Sequence, residues 1–269
     1  MCTSIRVWLC VLFVCFFLVL DAQDESSKLD SGFAEFLYNS ELYELAAEEY
    51  ERLLYYDAEN IAYLSKLLKC YSFTGKEQLM EQRFDLSKTT NKELTLSYFD
   101  LLLSLRKPEK FESLYHQQKA LFTEEESQNI QLKLATLRYD WTEVQSHIQT
   151  RNLDQYSSIY NKIEQSHFVK PGLAVGLSAV IPGLGRIYAK DTKDGLVSAL
   201  FVGSFGYQTY RRFSSRGFSD VGGWIYGGLA LGFYLSNLYG TYQSAKYYNN
   251  KQNERIYNFS LPKLLTESQ

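Results

Sequence analysis

Between residues 23 and 153 apolar side chains recur at the i, i+3, i+4, i+7 spacing that lines one face of a helix. One such face is Leu64, Leu67, Leu68 and Tyr71. Thirty-four residues later it returns as Tyr98, Leu101, Leu102 and Leu105, and after another 34 as Leu132, Ala135, Thr136 and Tyr139. Thirty-four residues earlier lie Asp30, Phe33, Ala34 and Leu37, so only Asp30 and Thr136 break the apolar register. Second helices follow the same arithmetic. Ala46, Met80, Leu114 and Ile148 are 34 apart, as are Leu53, Ser87 and Leu121. Asn39-Ser40, Thr74-Gly75 and Lys107-Pro108 supply the turns between helices. The pattern predicts an all-α array of stacked helical pairs, each burying its apolar stripe against its neighbours.

A helix–turn–helix period of 34 residues resembles the tetratricopeptide repeat. The likeness is closest in the first two units, through Ala46 and Tyr50, the entry Tyr43-Glu44-Leu45-Ala46-Ala47, and then Tyr71, Gly75, Met80 and Phe84. The chain departs from that family where Ala58 replaces Pro, Met80 replaces a small residue, and Gln118 and Asn152 occupy the second-helix aromatic position. The resemblance implies a helical-hairpin solenoid over 23–153 whose concave face takes a protein partner.

From residue 171 the pattern changes. Uncharged stretches cover 171–185, 195–210 and 221–245. The last is long enough to cross a hydrocarbon core of about 30 Å, and the second is just short. The expectation is a membrane domain over 171–248, a transmembrane helical hairpin with a preceding interfacial or re-entrant helix. A linker helix at 154–170 and a tail at 249–269 flank it. Arg211, Arg212 and Arg216 in the hairpin connector then fall on the cytoplasmic side. Gly223 with Gly227, and Gly228 with Gly232, place small residues for close helix packing. The same glycines would serve a homo-oligomer.

Charge divides the chain at the same place. Residues 23–166 carry 25 acids against 16 bases, whereas 167–269 carry 5 acids against 11 bases. The acidic array lacks the basic footprint that nucleic acid requires, so none is expected as partner. Residues 1–22 read as a signal peptide, with Arg6 ahead of the uncharged run 7–20 and Ala22 at the cut. Of four cysteines, Cys2, Cys10 and Cys15 lie in that segment and Cys70 alone in the remainder, which excludes an internal disulfide there.

The most distinctive string is Pro182-Gly183-Leu184-Gly185-Arg186-Ile187-Tyr188, followed by Gly195. It resembles the Pro-Gly-x-Gly-x-x-Tyr signature of small bacterial membrane domains of uncharacterised function, with Arg186 where Gln is usual. That resemblance implies a membrane architecture and carries no chemistry. The third glycine of a nucleotide loop is replaced by Tyr188, and no Lys-Ser/Thr pair follows. His116, His147 and His167 form no metal-ligand spacing, and no nucleophile elbow is present. No cofactor, metal or catalytic residue is expected. The sequence therefore reads as a non-enzymatic scaffold or assembly factor of the cell envelope: a periplasmic repeat domain held at a bacterial inner membrane, with a protein partner and the lipid bilayer as its contacts. The alternative is a role centred on the membrane domain (oligomerisation, or handling of lipid or a small substrate) that the repeats regulate.

Overall fold

The computed structural model describes residues 31–87, 91–151 and 153–265. The signal segment, Asp30 and Asn152 lie outside those residues. The described chain is all-α, with no strand among the described residues. It forms two compact units, one of residues 31–137 with Leu265 and one of Arg138–Leu264.

The first unit contains α1 (Gly32–Asn39), α2 (Tyr43–Tyr56), α3 (Ile61–Phe73), α4 (Glu77–Ser87), α5 (Lys92–Ser104), α6 (Pro108–Gln118) and α7 (Glu124–Leu137). Successive helices pack on one another, and α3, α5 and α7 also pack side by side. Side-chain caps start the helices of that inner row. Asn60 accepts from the Tyr63 N–H and Asn91 from the Leu94 N–H. Thr123 and Glu126 close a reciprocal capping box on α7.

The ends of these helices set the true register. Glu41, Gly75 and Arg106 all adopt left-handed backbone, as does Tyr139 at the start of the second unit. Across the first three, the next N–H returns to the carbonyl five residues back: Leu42 to Leu37, Lys76 to Tyr71 and Lys107 to Leu102. This is one helix-terminating motif used repeatedly. The turns are 34, 31 and 33 residues apart. A constant 34-residue step nevertheless stays on an apolar face, because the three-residue slip is nearly one helical turn.

Counting from the turns corrects the sequence alignment of the later units. The residue five positions on is Ala46, Met80, Phe111 and Val144, and all four are fully buried. Nine positions on stand Tyr50, Phe84, Tyr115 and Ile148, each at most 5% exposed. Counted from the turns, the buried position is thus held by Tyr115 and Ile148, rather than by the residues a constant step of 34 would select. Tyr71 occupies the equivalent inner position in α3, donating to the Glu51 carboxylate, which also receives Arg83.

The second unit contains α8 (Trp141–Thr150), α9 (Ser157–Glu164), α10 (Pro171–Val180), α11 (Leu184–Tyr188), α12 (Thr192–Arg216) and α13 (Val221–Leu265). Its axis is α13, whose 45 residues correspond to roughly 68 Å of helix. Near one end Tyr139 donates to Glu254, Trp141 donates to Asn253, and Tyr139 meets Tyr257 edge-on. Further along, the Asn249 amide bonds both to the N–H and to the carbonyl of Val169. That contact delivers the chain to Pro171 at the first turn of α10.

A hairpin of α12 and α13 is present at the expected place. Phe201 and Phe205 stack on Phe233, with centroids 4.9 and 5.2 Å apart. Asp220 begins α13, accepting the Gly223 N–H and pairing with Arg212 at 3.3 Å. The expectation of transmembrane spans is corrected here: among the described residues, no helix is long and apolar enough to cross a membrane. Uncharged is not the same as apolar. In 221–245 the aliphatic residues are interleaved with glycines, tyrosines, Ser236, Asn237, Thr241 and Gln243, and α12 is interrupted by Ser198, Gly203, Ser204 and Gln208.

Candidate functional site

In the first unit, one face of the inner row forms a groove of about 780 Å³. Most of its lining follows helical spacing on three helices: Lys69, Ser72 and Phe73 from α3; Glu93, Leu96, Ser97, Asp100, Leu101 and Ser104 from α5; Glu126, Asn129, Ile130 and Lys133 from α7; Tyr38 and Leu265 complete it. Lys69, Asp100 and Lys133 all stand six residues before their left-handed turn, so they form one row across three helices. Asp100 accepts from Lys133 at 2.6 Å, with only 16% and 11% of the two side chains exposed. Lys92 pairs with Glu126 at 2.8 Å nearer the helix starts. Opposite charges alternate with apolar Phe73, Leu96 and Ile130, which gives a mixed surface suited to a polypeptide.

The repeat-register residues belong to the interior and turns of the first unit. Ala46, Tyr50, Tyr71, Met80 and Phe84 are buried, and Gly75 is a left-handed turn. They position the lining and contribute no chemistry of their own. Burial pushes the Tyr71 hydroxyl up to about 12, with the Glu51 carboxylate adding to the effect. Burial likewise raises the Cys70 thiol to about 11, leaving it a neutral packing group.

In the second unit the glycines of the Pro-Gly-x-Gly string mark backbone crossings. Gly183 is left-handed, and a Cβ there would overlap the Gly195 carbonyl oxygen. A Cβ on Gly185 would overlap the Ala174 carbonyl oxygen. Gly195 lies against Gly183 and Ile187 in turn. Pro182 is half-buried at the preceding bend. Tyr188 packs on the small core of Val169, Ala174, Ala189 and Ala245. The corner is pinned to α13 by a directed chain of bonds: the Gly185 N–H donates to Ser178, Ser178 meets Thr241 at 2.8 Å, and Thr241 donates to the Asn237 carbonyl.

Arg186, the residue that departs from the signature, lies over Gly240 of α13, where any Cβ would overlap its guanidinium. It pairs with Asp194 at 3.2 Å and approaches Asp191 at 3.9 Å, and Asp191 also accepts from Ser244. The packing glycines divide into two pairs. Gly223 faces the Phe213 ring and Gly227 faces Thr209, whereas Gly228 and Gly232 have open space above them.

His116 sits near Glu112 at 3.7 Å and His147 near Glu143 at 3.6 Å, both as one-turn helix neighbours. Among the described residues no group of three His, Cys, Asp or Glu side chains is placed to hold a metal ion. Sequence reasoning missed the Lys69–Asp100–Lys133 row, whose spacings of 31 and 33 were hidden by the assumed 34. It also missed Gly240, which sits in a long uncharged run without a motif. In comparison with known proteins, no family model matches the chain, and no curated protein and no solved structure matches it.

Proposed function

We propose that this chain is an exported scaffold or assembly factor of the cell envelope, which captures a protein segment in the groove of its tetratricopeptide-like repeats. The observation that carries this reading is the groove itself: a continuous lining from three parallel-stacked helices, in which every third or fourth residue faces the same space. Its charges are of both signs, with three acids against two bases, which favours a polypeptide over a polyanion. The signal-like residues 1–22 support export.

The hairpin supplies the attachment to membrane in this reading. Leu196, Leu200, Trp224, Ile225, Leu231 and Leu235 are each more than half exposed on α12 and α13. Apolar surface on this scale marks contact with lipid or another chain. Since the helices are too polar to span, the hairpin meets the bilayer through its apolar faces, with tyrosine and tryptophan at the interface. This surface also supports the second reading, in which the membrane unit is the working part and the repeats regulate it.

A photo-crosslinking amino acid placed at Leu96 in the full chain tests the groove, with Tyr55 as an exposed control outside the lining. Capture of one discrete protein at position 96, lost when Asp100 and Lys133 are both replaced by Ala, is the expected result. Equal capture at position 55, or none at 96, would overturn the scaffold reading.

A further inference from the structure

A second cavity, of about 270 Å³, lies within the second unit between the corner and the hairpin. It is lined by Arg186, Asp194, Ser198, Phe201, Phe233 and Asn237, among others. Asn237 is 2% exposed, yet neither its amide nitrogen nor its amide oxygen has a partner among the described residues. Arg186 Nε is buried and unpartnered as well. Buried polar atoms in native folds are almost always satisfied. Arg186 and Asn237, which carry these three orphaned atoms, both line the one cavity, and this points to an occupant.

The chemistry of these groups defines that occupant. Arg186 Nε and Asn237 Nδ2 are donors and call for an oxyanion. Asn237 Oδ1 is an acceptor, and Asp194 adds a carboxylate with 64% of its side chain exposed. A simple anion would leave the acceptor unsatisfied and face Asp194. A simple cation would leave the two donors unsatisfied and face Arg186. A ligand with an oxyanion and a primary ammonium a few bonds apart satisfies both sets. The remaining wall is mixed: Ser198 and Ser236, with an apolar part of Phe201 stacked on Phe233 and Val197, each partly exposed. It continues onto exposed Leu200 and Leu196. A polar pocket opening onto an apolar helix surface fits an amphiphile, head inward and chain along the helices.

We propose that this pocket binds the headgroup of a phospholipid carrying a primary amine, its phosphate at Arg186 and the Asn237 amide nitrogen, its ammonium at Asp194 and the Asn237 amide oxygen. The inference is independent of the groove, and needs of the membrane reading only that the hairpin meets lipid. It also explains why an arginine occupies the motif position: a glutamine there would lack the charge that pairs with phosphate.

The test uses the full chain in detergent, titrated with phosphatidylethanolamine or phosphatidylcholine of identical acyl chains, and separately with soluble phosphoethanolamine. Bound lipid is counted by native mass spectrometry and stability by thermal midpoint. The quaternary ammonium of phosphatidylcholine cannot donate, so the ethanolamine lipid is expected to bind about tenfold more tightly. Asn237→Leu keeps the shape without orphaned atoms, and Asp194→Asn alters an exposed residue; both are expected to fold and to lose the preference. Stabilisation by soluble phosphoethanolamine alone, lost in both variants, would retain the pocket and assign its ligand to a free metabolite. Equal binding of both lipids with no effect of phosphoethanolamine would overturn the proposal, as would an undiminished preference in the variants. Flotation on pure phosphatidylcholine vesicles reports membrane contact by itself, so its failure is distinct from failure of the pocket.

Discussion

Arg186 and Gly240 fit one another as side chain and gap: the guanidinium occupies the place where any residue larger than glycine would put its Cβ. Gly240 lies mid-helix, where glycine ordinarily weakens a helix by about 1 kcal/mol relative to alanine. Gly240→Ala is therefore expected to stabilise the helix locally and yet destabilise the protein, by about 1–3 kcal/mol from overpacking. In an Arg186→Ala background the clash is gone, and the same substitution is expected to be neutral or stabilising by up to about 1 kcal/mol. Denaturant midpoints for the four proteins check this cycle. Additive effects would show that Arg186 does not occupy the gap.

The left-handed turns make a prediction of opposite sign at two equivalent positions. Gly75 and Arg106 end α3 and α5 with φ of 72° and 57°. Glycine is the residue suited to that backbone. Gly75→Ala is expected to cost about 1–2 kcal/mol by the left-handed penalty, because the surrounding space is open and no clash adds to it. Arg106→Gly is expected to gain up to about 1 kcal/mol, less whatever the arginine side chain contributes. Thermal melts of the full chain measure both.

These turns also show how much was legible in sequence. The helical pairs could be read because burial follows a 3.6-residue period, and Leu67, Leu102 and Leu132 carried it plainly. The step between units could not, since a slip from 34 to 31 keeps an apolar stripe in phase and only the turn conformation reveals it. Gly75 signals such a turn by its residue type, but Glu41, Arg106 and Tyr139 do not. In the second unit the glycines of the motif were visible, while their reason was not: Gly183 and Gly195 are distant enough in sequence that only the crossing of α11 and α12 brings their backbones together. The expectation of membrane-spanning helices lacks support for a different reason. Absence of charge over 221–245 suggests lipid compatibility, although Thr241 on that helix meets Ser178 of the corner and Asn237 is buried one turn away.

Cys70 provides a pH test. Its thiol is raised from 9.0 to about 11 by burial, which penalises the thiolate. The neutral form is favoured by the folded state, so this stabilisation is complete below the unfolded value and is lost as pH rises through about 11. Tyr71, raised from 10.0 to about 12, adds a loss of the same sign at higher pH. Unfolding midpoints are expected to fall from pH 9 upward, with a smaller early decline in Cys70→Ala. At neutral pH, alkylation of Cys70 followed by peptide mapping is expected only under denaturing conditions. Rapid labelling of the native chain at this cysteine would contradict its burial.

The Asp100–Lys133 pair links fold and groove, and its two roles separate by experiment. Both side chains are largely buried and 2.6 Å apart, between α5 and α7. Removing one partner strands the other in a poorly hydrated site, for which about 3 kcal/mol is expected. Asp100→Ala and Lys133→Ala are each expected to destabilise the chain by that order, whereas the double variant loses less than the sum of the two. Exchanging them, as Asp100→Lys with Lys133→Asp, restores a pair of opposite charge and should recover most of the stability. The exchange also turns the alternating charges of the row that begins at Lys69 into two positive charges followed by a negative one. If the groove reads a partner by charge, the exchanged protein is stable but loses crosslinking at position 96. Stability and crosslinking recovering together would show that the pair only joins the helices and that the partner is recognised elsewhere on the lining.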